Sequence, residues 1–467
     1  MAGIGFRLQK ILQGRSYTDF ARAYLFSTVI ASGPSLLVML SLALLRYRLQ
    51  SSFNMEDQKL LVSLFSYLYA FSMIVVGPCL YVVTRYLADM EYLGKLAVFS
   101  PTYFSLLKIL FSVASLLEWG FTYSLSIPFS AKVLLWVLFL LIVGIWVALT
   151  FISILRGYSW IVFAFFSGGA GGLLLSIPFT QYWGWQGFIG AYTLGQGLIF
   201  FILTIRLVTE LGMPFQNDFS FLSYFKKQHY LVWICTFYFA GNWVDKFVFW
   251  ASPHAEIILG KLATCPLYDA PIFLAFLTIV PAMAFFLLQM ESTFAKNYHL
   301  YFECIRRRSP LHTILGQKRA MVSELYGHFK QFMLFQGIVS LLIVLMMEEV
   351  CNYFMIEPHQ MGIFRIGILG AFLQMMFVML LTLLFYFDFL QEAFWMSLLY
   401  FVSNALLTLA TLQLGLASYG YGVTISCLIS SFFTFLLLDS RLKYLEYYTF
   451  MKQPISFPPF SYEEELF

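Results

Sequence analysis

Long apolar runs recur along the whole chain, and short polar breaks separate them. Each run is close to the roughly 20 residues that an α-helix needs to cross the hydrocarbon core of a bilayer. A polar stretch at residues 209–228 divides the runs into two sets of six. The pattern predicts twelve transmembrane helices, at residues 21–45, 60–84, 102–117, 133–155, 159–180, 187–208, 229–250, 271–290, 331–347, 362–387, 393–414 and 420–438.

The composition excludes a soluble globular protein. Of the 467 residues, 60% are hydrophobic and 11% are charged, whereas a soluble domain carries about 25% charged residues. The net charge of +4 gives no reason to expect a nucleic-acid partner. A polytopic protein whose surroundings are the lipid bilayer is the interpretation that fits.

The distribution of positive charge predicts how the chain crosses the membrane. With the N-terminus placed in the cytoplasm, 20 of the 28 Lys and Arg residues fall on the inner side and 6 on the outer side. Positive residues are enriched in the cytoplasmic segments of membrane proteins. We therefore expect the N- and C-termini to be cytoplasmic.

The polar stretch in the middle predicts the domain organisation. Two similar six-helix halves around a central cavity are typical of several transporter folds, and we expect an all-α polytopic membrane protein of this kind. The second half contains a basic cytoplasmic loop at residues 291–330. The predicted parts are a cytoplasmic amphipathic segment at 1–20, the first half at 21–208, a cytoplasmic linker at 209–228, the second half at 229–438 and a cytoplasmic tail at 439–467.

The seventh run holds an acid and a base side by side, Asp245 and Lys246. An ionisable residue near the centre of a transmembrane helix costs about 2.5–3.5 kcal/mol. Consecutive residues project about 100° apart on a helix, so we expect the two side chains not to pair within it. Lysine can reach outer water with its long stem, but aspartate cannot. Asp245 therefore either lines a solvated cavity or forms a buried ion pair that holds two helices together.

Further polar residues lie at bilayer depth in other runs. One such residue usually hydrogen-bonds one helix to another, at about 0.6 kcal/mol, but together they would suit a cavity that hydrogen-bonds sugar hydroxyls. Tryptophans near the predicted outer helix ends, among them Trp243 and Trp250, are typical of an aromatic belt, with stacking on sugar rings as the alternative. The candidate residues of a transport path are Asn242, Trp243, Asp245, Lys246, Gln289, Gln374 and Asn404.

The basic segment at residues 291–330 is the largest polar piece between two runs. Its charges either anchor the topology and contact lipid headgroups or dock a cytoplasmic partner. The candidate docking residues are Arg306, Arg307, Arg308, Lys318 and Arg319. Neither a Walker motif nor a His/Cys cluster with metal-ligand spacing occurs in the sequence. We therefore predict no catalytic residues, no metal and no cofactor.

Two stretches resemble the Pel exopolysaccharide transporter family (PelG). One is the N-terminal block formed by residues 1–8 (Met-Ala-Gly-Ile-Gly-Phe-Arg-Leu), 22–24 (Arg-Ala-Tyr) and 32–34 (Ser-Gly-Pro). The other is the Gly-x-Trp-x-Asp-Lys-x-x-Phe-Trp pattern at residues 241–250. Where the family pattern has a hydrophobic residue between the glycine and the tryptophan, this chain has Asn242.

The resemblance implies a member of the multidrug/oligosaccharidyl-lipid/polysaccharide (MOP) flippase superfamily. It implies a multi-pass protein of the cytoplasmic (inner) membrane that exports a polysaccharide rich in N-acetylgalactosamine for the biofilm matrix. The partners that it implies are a cytoplasmic glycosyltransferase, a cyclic-di-GMP receptor and a further membrane subunit of a polysaccharide synthase complex. It implies no particular catalytic or binding residue.

Two other functions fit the sequence. The chain could be a cation-coupled extruder of small molecules, as multidrug transporters are, with Asp245 as the proton or sodium site. Alternatively, it could be a membrane subunit that transports nothing and recruits the glycosyltransferase through residues 291–330.

Overall fold

The computed structural model of the chain describes residues 54–155, 157–213, 216–290, 294–354 and 356–451. The predicted amphipathic segment at 1–20 and the first predicted transmembrane run at 21–45 lie outside the described residues, as does most of the predicted tail. The described part is built almost wholly from α-helices, joined by one short β-hairpin.

The part of the chain before the linker is hereafter the first half, and its described residues form four α-helices: α1 (Met55–Tyr92), α2 (Phe99–Tyr123), α3 (Phe129–Ile154) and α4 (Tyr158–Leu211). Gly184 interrupts α4 with a φ of 56°, a conformation that glycine adopts without steric cost. The two arms of α4 then pack against each other, and a Cβ added at Gly168 would lie 2.6 Å from the carbonyl oxygen of Gly195. Glycines at this crossing let the two backbones touch.

The part after the linker, hereafter the second half, follows the short helix α5 (Leu222–Lys227). It comprises α6 (His229–Trp250), the hairpin of β1 (Glu256–Ile258) and β2 (Leu262–Thr264), and then the helices α7 (Pro266–Leu277), α8 (Val280–Gln289), α9 (Ala295–Arg306), α10 (Leu311–Leu345), α11 (Met347–Tyr353), α12 (Met361–Tyr386), α13 (Leu390–Leu414), α14 (Tyr421–Lys443) and α15 (Leu445–Phe450). The bounds of α6 coincide with the predicted run at 229–250.

Several observed helices extend beyond the predicted runs, as α1 and α2 do at both ends, and two predicted segments differ more deeply. The predicted run at 271–290 begins earlier, at Pro266, and is broken between Leu277 and Val280. Pro281 has no N–H to donate to the carbonyl four residues before it, which weakens the helix there. The basic segment at 291–330 is largely helical rather than a loop, because α9 and the first part of α10 occupy it.

Nine helical segments among the described residues are long and apolar enough to cross a bilayer. One of them, residues 159–211, contains the break at Gly184 and corresponds to two predicted runs. Helix α6 has sufficient length but is too polar to be counted among the nine. The chain is a multi-pass membrane protein, while the total of twelve helices and the cytoplasmic position of both termini stay predictions.

The two halves meet along α1 and α6, which cross closely: a Cβ at Gly77 would lie 2.2 Å from the ring of Phe239. At one end of these helices, here named the hairpin end, Lys59 forms a 2.6 Å ion pair with Glu256. At the opposite end, named the linker end, Arg85 lies 3.5 Å from Asp388. An ion pair therefore joins the two halves at each end.

Candidate functional site

A glycine brings the polar face of α6 against α13. A Cβ added at Gly241 would lie 2.7 Å from the ring of Tyr400, so only glycine allows the two helices to approach this closely. The close approach puts Asn242 and Asp245, which follow Gly241 along α6, among side chains of α7, α12 and α13. The site is therefore built where four helices of the second half converge.

Asp245 is the acid at the centre of the site, and it is 1% exposed. The Tyr268 hydroxyl of α7 donates a 2.8 Å hydrogen bond to its Oδ2. The Lys246 ammonium lies 3.2 Å from Oδ2 and 3.3 Å from Oδ1. The prediction that these neighbours do not pair within the helix is wrong, because the flexible stem of lysine turns its ammonium back over the preceding residue.

Lys246 is the more accessible member of the pair, with 17% of its side chain exposed. Its ammonium also donates to the backbone carbonyl of Asn242 over 3.3 Å. It lies over the rings of Trp243 and Phe276, 5.5 Å and 5.7 Å from their centroids. Cation–π attraction of this kind grows as water is removed. The carboxylate, the carbonyl and the two rings together hold the ammonium away from bulk solvent.

A hydrogen-bonded amide network continues from this pair toward α12 and α13. The Asn242 Oδ1 accepts hydrogen bonds from the Gln374 amide at 2.7 Å and from the Tyr400 hydroxyl at 3.1 Å. The Asn404 amide donates to the backbone carbonyl of Gly241 over 2.9 Å. The structure therefore brings together Asn242, Gln374 and Asn404, three of the residues predicted to line a path, beside the ion pair, with Gln374 and Asn404 buried and Asn242 half-buried.

A second acid, Asp269, lies on α7 beside the end of α6. Its Oδ2 accepts a 2.7 Å hydrogen bond from the indole N–H of Trp250 and a 3.2 Å bond from the backbone N–H of Cys265. Its Oδ1 is buried and finds no hydrogen-bond partner among the residues that the structure describes. Trp250 is itself only 6% exposed, so the prediction that it belongs to a lipid-facing aromatic belt is wrong.

Gln289 lies away from this site. Its amide donates a 2.7 Å hydrogen bond to Gln331 of α10, and this bond ties α8 to α10. Of the predicted docking residues, Arg306 and Arg307 are highly exposed, at 81% and 73% of their side chains. Lys318 instead forms a 2.6 Å ion pair with Glu446 of α15, and its side chain is 12% exposed. The Lys318 charge is therefore paired within the chain. Whether any of these residues serves transport or docking stays a prediction.

The first half has a polar cluster of its own, without a charge in it. The hydroxyls of Tyr69 and Tyr192 lie 2.6 Å apart, and the Trp146 indole N–H donates to the Ser72 hydroxyl over 3.3 Å. Gln196, which the sequence places at bilayer depth, borders the same small cavity as Tyr69 and Trp146. Every member of this first-half cluster is neutral.

Sequence reasoning missed three residues of the site, Tyr268, Asp269 and Tyr400. The first two were excluded because the predicted run began at residue 271. Pro266 gives the signal that could have found them, since proline is favoured in the first turn of a helix and therefore starts α7 before both residues. The hydroxyl of Tyr400 sits in an ordinary apolar run, and nothing in the sequence indicates that it faces Asn242.

A family match identifies the kind of protein that carries this site. Residues 1–450 match the PelG family, whose description reads "Putative exopolysaccharide Exporter (EPS-E)". The chain belongs to the PelG family. The match spans both halves, the linker and the polar network. No curated protein has a matching sequence.

Solved structures with the same fold extend the comparison from the PelG family to a superfamily. An outward-facing multidrug resistance MATE family transporter of the MOP superfamily is 14% identical over 90% of this chain and 96% of its own, with a TM-score of 0.61. Its inward-facing counterpart is 12% identical over 91% and 94%, with a TM-score of 0.60. A MOP superfamily transporter from Pyrococcus furiosus is 12% identical over 91% and 96%, with a TM-score of 0.61. The PelG chain therefore has the MOP transporter fold, and its family and fold are those of transporters rather than enzymes.

Proposed function

We propose that this PelG-family chain exports an exopolysaccharide across the cytoplasmic membrane and that the path runs between its two halves. The cargo is a polymer rich in N-acetylgalactosamine, destined for the biofilm matrix. The observation that carries the proposal is the Asp245–Lys246 pair, which lies beside the amide network of the second half in a protein with a transporter fold.

The physical argument concerns the free energy of burying charge. Well-packed apolar side chains of similar volume usually stabilise a protein as well as a buried ion pair does. Ionisable residues within transmembrane segments face the bundle interior or a cavity and mark transport pathways. Asp245, at 1% exposure, and Lys246 therefore support a role in moving cargo. The nearby amides and hydroxyls of Asn242, Gln374 and Tyr400 are the groups that hydrogen-bond sugars.

The test replaces the acid without changing its shape. A strain whose chromosomal copy is deleted would express either the natural chain or the Asp245→Asn variant. Secreted polysaccharide would be measured with a lectin specific for N-acetylgalactosamine, and the amount of chain in the membrane by immunoblot. We expect the variant to reach the membrane at normal levels and to secrete less than a tenth of the polysaccharide.

The matched control makes the same carboxylate-to-amide change on the surface. Glu349 of α11 is exposed, so Glu349→Gln removes one negative charge without touching the site. The control should secrete normally. Normal secretion by Asp245→Asn would remove this residue from the proposed path.

For the cytoplasmic partner we propose the exposed arginine triplet Arg306, Arg307 and Arg308, between α9 and α10. Glu303 contacts the first two of these arginines but leaves most of their surface open. An exposed positive cluster steers and holds a negatively charged partner surface. We propose that the triplet docks the glycosyltransferase of the synthase complex, beside a cyclic-di-GMP receptor and a further membrane subunit.

Neutralising the triplet tests this docking. The variant with alanine at 306, 307 and 308 should release a fluorescently tagged glycosyltransferase from the membrane fraction into the cytosol. The control replaces Lys226 and Lys227, two exposed lysines of α5 at the same end, and should retain the partner. If the triple variant still retains the glycosyltransferase at the membrane, the arginine triplet has only the role of a topological anchor.

A second candidate function, a cation-coupled extruder of small molecules, is favoured by the charge count of the site. Within the described part of the chain, Asp245 and Asp269 face a single lysine, and Asp269 Oδ1 lacks a hydrogen-bond partner. A proton or a sodium ion would balance the second carboxylate. Export of a cationic dye by a strain that lacks the polysaccharide genes, lost in Asp269→Asn, would favour this function. Absence of dye export would exclude it.

A further inference from the structure

Aromatic rings from both halves stack face to face at the hairpin end. Tyr67 of α1 stacks on Trp250 of α6, with ring centroids 4.5 Å apart and ring planes 17° apart. Phe121 of α2 also stacks on Tyr67, at 5.4 Å and 19°. Beside them, Phe71 of α1 stacks on Phe247 of α6 at 5.9 Å and 23°. These five residues are named the aromatic stack.

The aromatic stack crosses the boundary along which the halves must part. Two of its contacts, Tyr67 with Trp250 and Phe71 with Phe247, join α1 to α6. Anything that leaves between the halves at the hairpin end has to separate these pairs and will meet their open faces. Phe71 is already 40% exposed. Flat rings that come apart in this way leave parallel apolar surfaces facing the cargo.

Polar groups at the ring edges complete the site. The Trp250 indole N–H donates a hydrogen bond to Asp269 Oδ2, and Oδ1 of the same carboxylate is buried with no hydrogen-bond partner in the described ranges of the chain. The Tyr67 hydroxyl donates to the backbone carbonyl of Ala263 in the hairpin over 2.8 Å. A buried acceptor without a donor carries a desolvation cost, which a hydroxyl group placed beside Trp250 would relieve.

This combination matches one class of ligand. One face of a pyranose ring presents C–H bonds and is apolar, while its rim carries hydroxyl donors. The aromatic faces pack against the C–H bonds of the pyranose ring. The Asp269 Oδ1 atom accepts a hydrogen bond from one of its hydroxyls. We propose that the aromatic stack is a saccharide-binding platform, on which pyranose rings replace the ring-to-ring contacts between Tyr67 and Trp250 and between Phe71 and Phe247 when the halves separate. The inference rests on the proposed function of polysaccharide export.

The test measures binding directly on the full-length chain reconstituted in lipid nanodiscs. The probe is a tetrasaccharide of N-acetylgalactosamine, the sugar of the proposed cargo, titrated by calorimetry. We expect saturable binding that Tyr67→Leu weakens at least tenfold, because the ring is lost. Tyr67→Phe keeps the ring and should stay within about twofold of the natural chain. Phe71→Leu, at a partly exposed position, should weaken binding at least threefold and is the safer variant should Tyr67→Leu fold poorly.

The matched control is another stacked pair on the same helix. Trp233 lies on Phe237 at 5.8 Å and 22°, and it is 50% exposed on α6. Trp233→Leu should bind the probe like the natural chain. Unchanged affinity in both Tyr67→Leu and Phe71→Leu, or no binding by the natural chain, would overturn the platform and leave the aromatic stack as a seal between the halves.

These outcomes are independent of the proposed function. If the natural chain does not bind the probe but Asp245→Asn still abolishes secretion, export stands and the platform fails. If the aromatic-stack variants lose binding while Asp245→Asn secretes normally, the platform stands and the proposed path through Asp245 fails.

Discussion

The polar clusters of the two halves differ in charge although both are buried in the same fold. In the first half, Tyr69 and Tyr192 share a hydrogen bond between neutral hydroxyls. In the second half, Asp245 and Lys246 carry opposite charges, and a tyrosine hydroxyl stabilises the acid. A neutral cluster can rearrange its hydrogen bonds at little cost, whereas a charged one depends on every partner. We infer that, of these two clusters, the charged one in the second half is the more sensitive to the loss of a partner.

The largest effect is expected from a substitution that breaks the charged cluster. Asp245→Ala leaves the Lys246 ammonium with no acceptor at position 245, whereas the amide oxygen in Asp245→Asn can still accept its hydrogen bond. Asp245→Ala should therefore lower the free energy of unfolding by about 3–5 kcal/mol, the usual consequence of stranding a buried charge. Adding Lys246→Ala should recover most of this loss. Thermal unfolding in detergent would measure both variants. A loss below about 1 kcal/mol for Asp245→Ala would mean that water already solvates the lysine, since surface ion pairs contribute no more than this.

The glycine crossings of the two halves give a smaller contrast. Gly195 meets the backbone of the other arm of α4, because its Cβ would lie 2.7 Å from the Gly168 carbonyl oxygen. Gly241 meets the ring of Tyr400 instead. Gly195→Ala should lower stability by about 1–3 kcal/mol, as overpacking does, and leave the pattern of export unchanged. Gly241→Ala should displace the Tyr400 ring from Asn242 and reduce export more than stability. The reverse order would contradict this assignment of roles.

The neutral cluster should tolerate change. Tyr192→Phe removes one hydroxyl-to-hydroxyl bond and should cost about 1 kcal/mol of stability, the typical net value of such a bond. Secretion should remain at the level of the natural chain, measured with the same lectin. A loss of secretion as large as that of Asp245→Asn would place part of the transport chemistry in the first half as well.

The smallest effect is expected at Asp218, a linker residue that accepts hydrogen bonds from Tyr86 and Thr102 of the first half. Burial alone would raise the pKa of Asp218, but hydrogen bonds from Ser220, Tyr86 and Thr102 outweigh it and lower the pKa below its ordinary value. The carboxylate therefore stabilises the linker at any pH above about 4, its ordinary pKa, and this stabilisation is lost as pH falls through the lower folded value. Limited proteolysis at the linker should increase below about pH 4. In Asp218→Asn the same cleavage should be independent of pH.

The contrast between the halves was only partly readable from the sequence. Apolar run length placed α6 at its observed bounds, since a span needs a fixed number of residues. The same argument missed the start of α7, because Tyr268 and Asp269 interrupt the apolar pattern and only Pro266 marks the helix. It also treated residues 291–330 as a loop, because a polar helix at the membrane edge has the composition of one.

Which residues of the site meet was beyond one-dimensional reasoning. Gln374 and Gln289 look alike in the sequence, each a single glutamine in an apolar run. Gln374 faces Asn242, whereas Gln289 faces Gln331. The difference follows from how four helices rotate against one another, and helical periodicity within one run does not fix that rotation. The Lys246 contact with Asp245 depends likewise on the bend of a flexible side chain.

The hydrogen bonds between α6 and α7 determine which helices can separate at the hairpin end. The hydrogen bond from Tyr268 to Asp245 and that from Trp250 to Asp269 lie on successive turns, and the β-hairpin joins the same two helices. Helices tied by charged hydrogen bonds move as one block, while α1 faces that block mostly through ring contacts. In our proposal, an opening at the hairpin end would run between α1 and the α6–α7 block, and the exported polymer would pass aromatic surfaces on both sides.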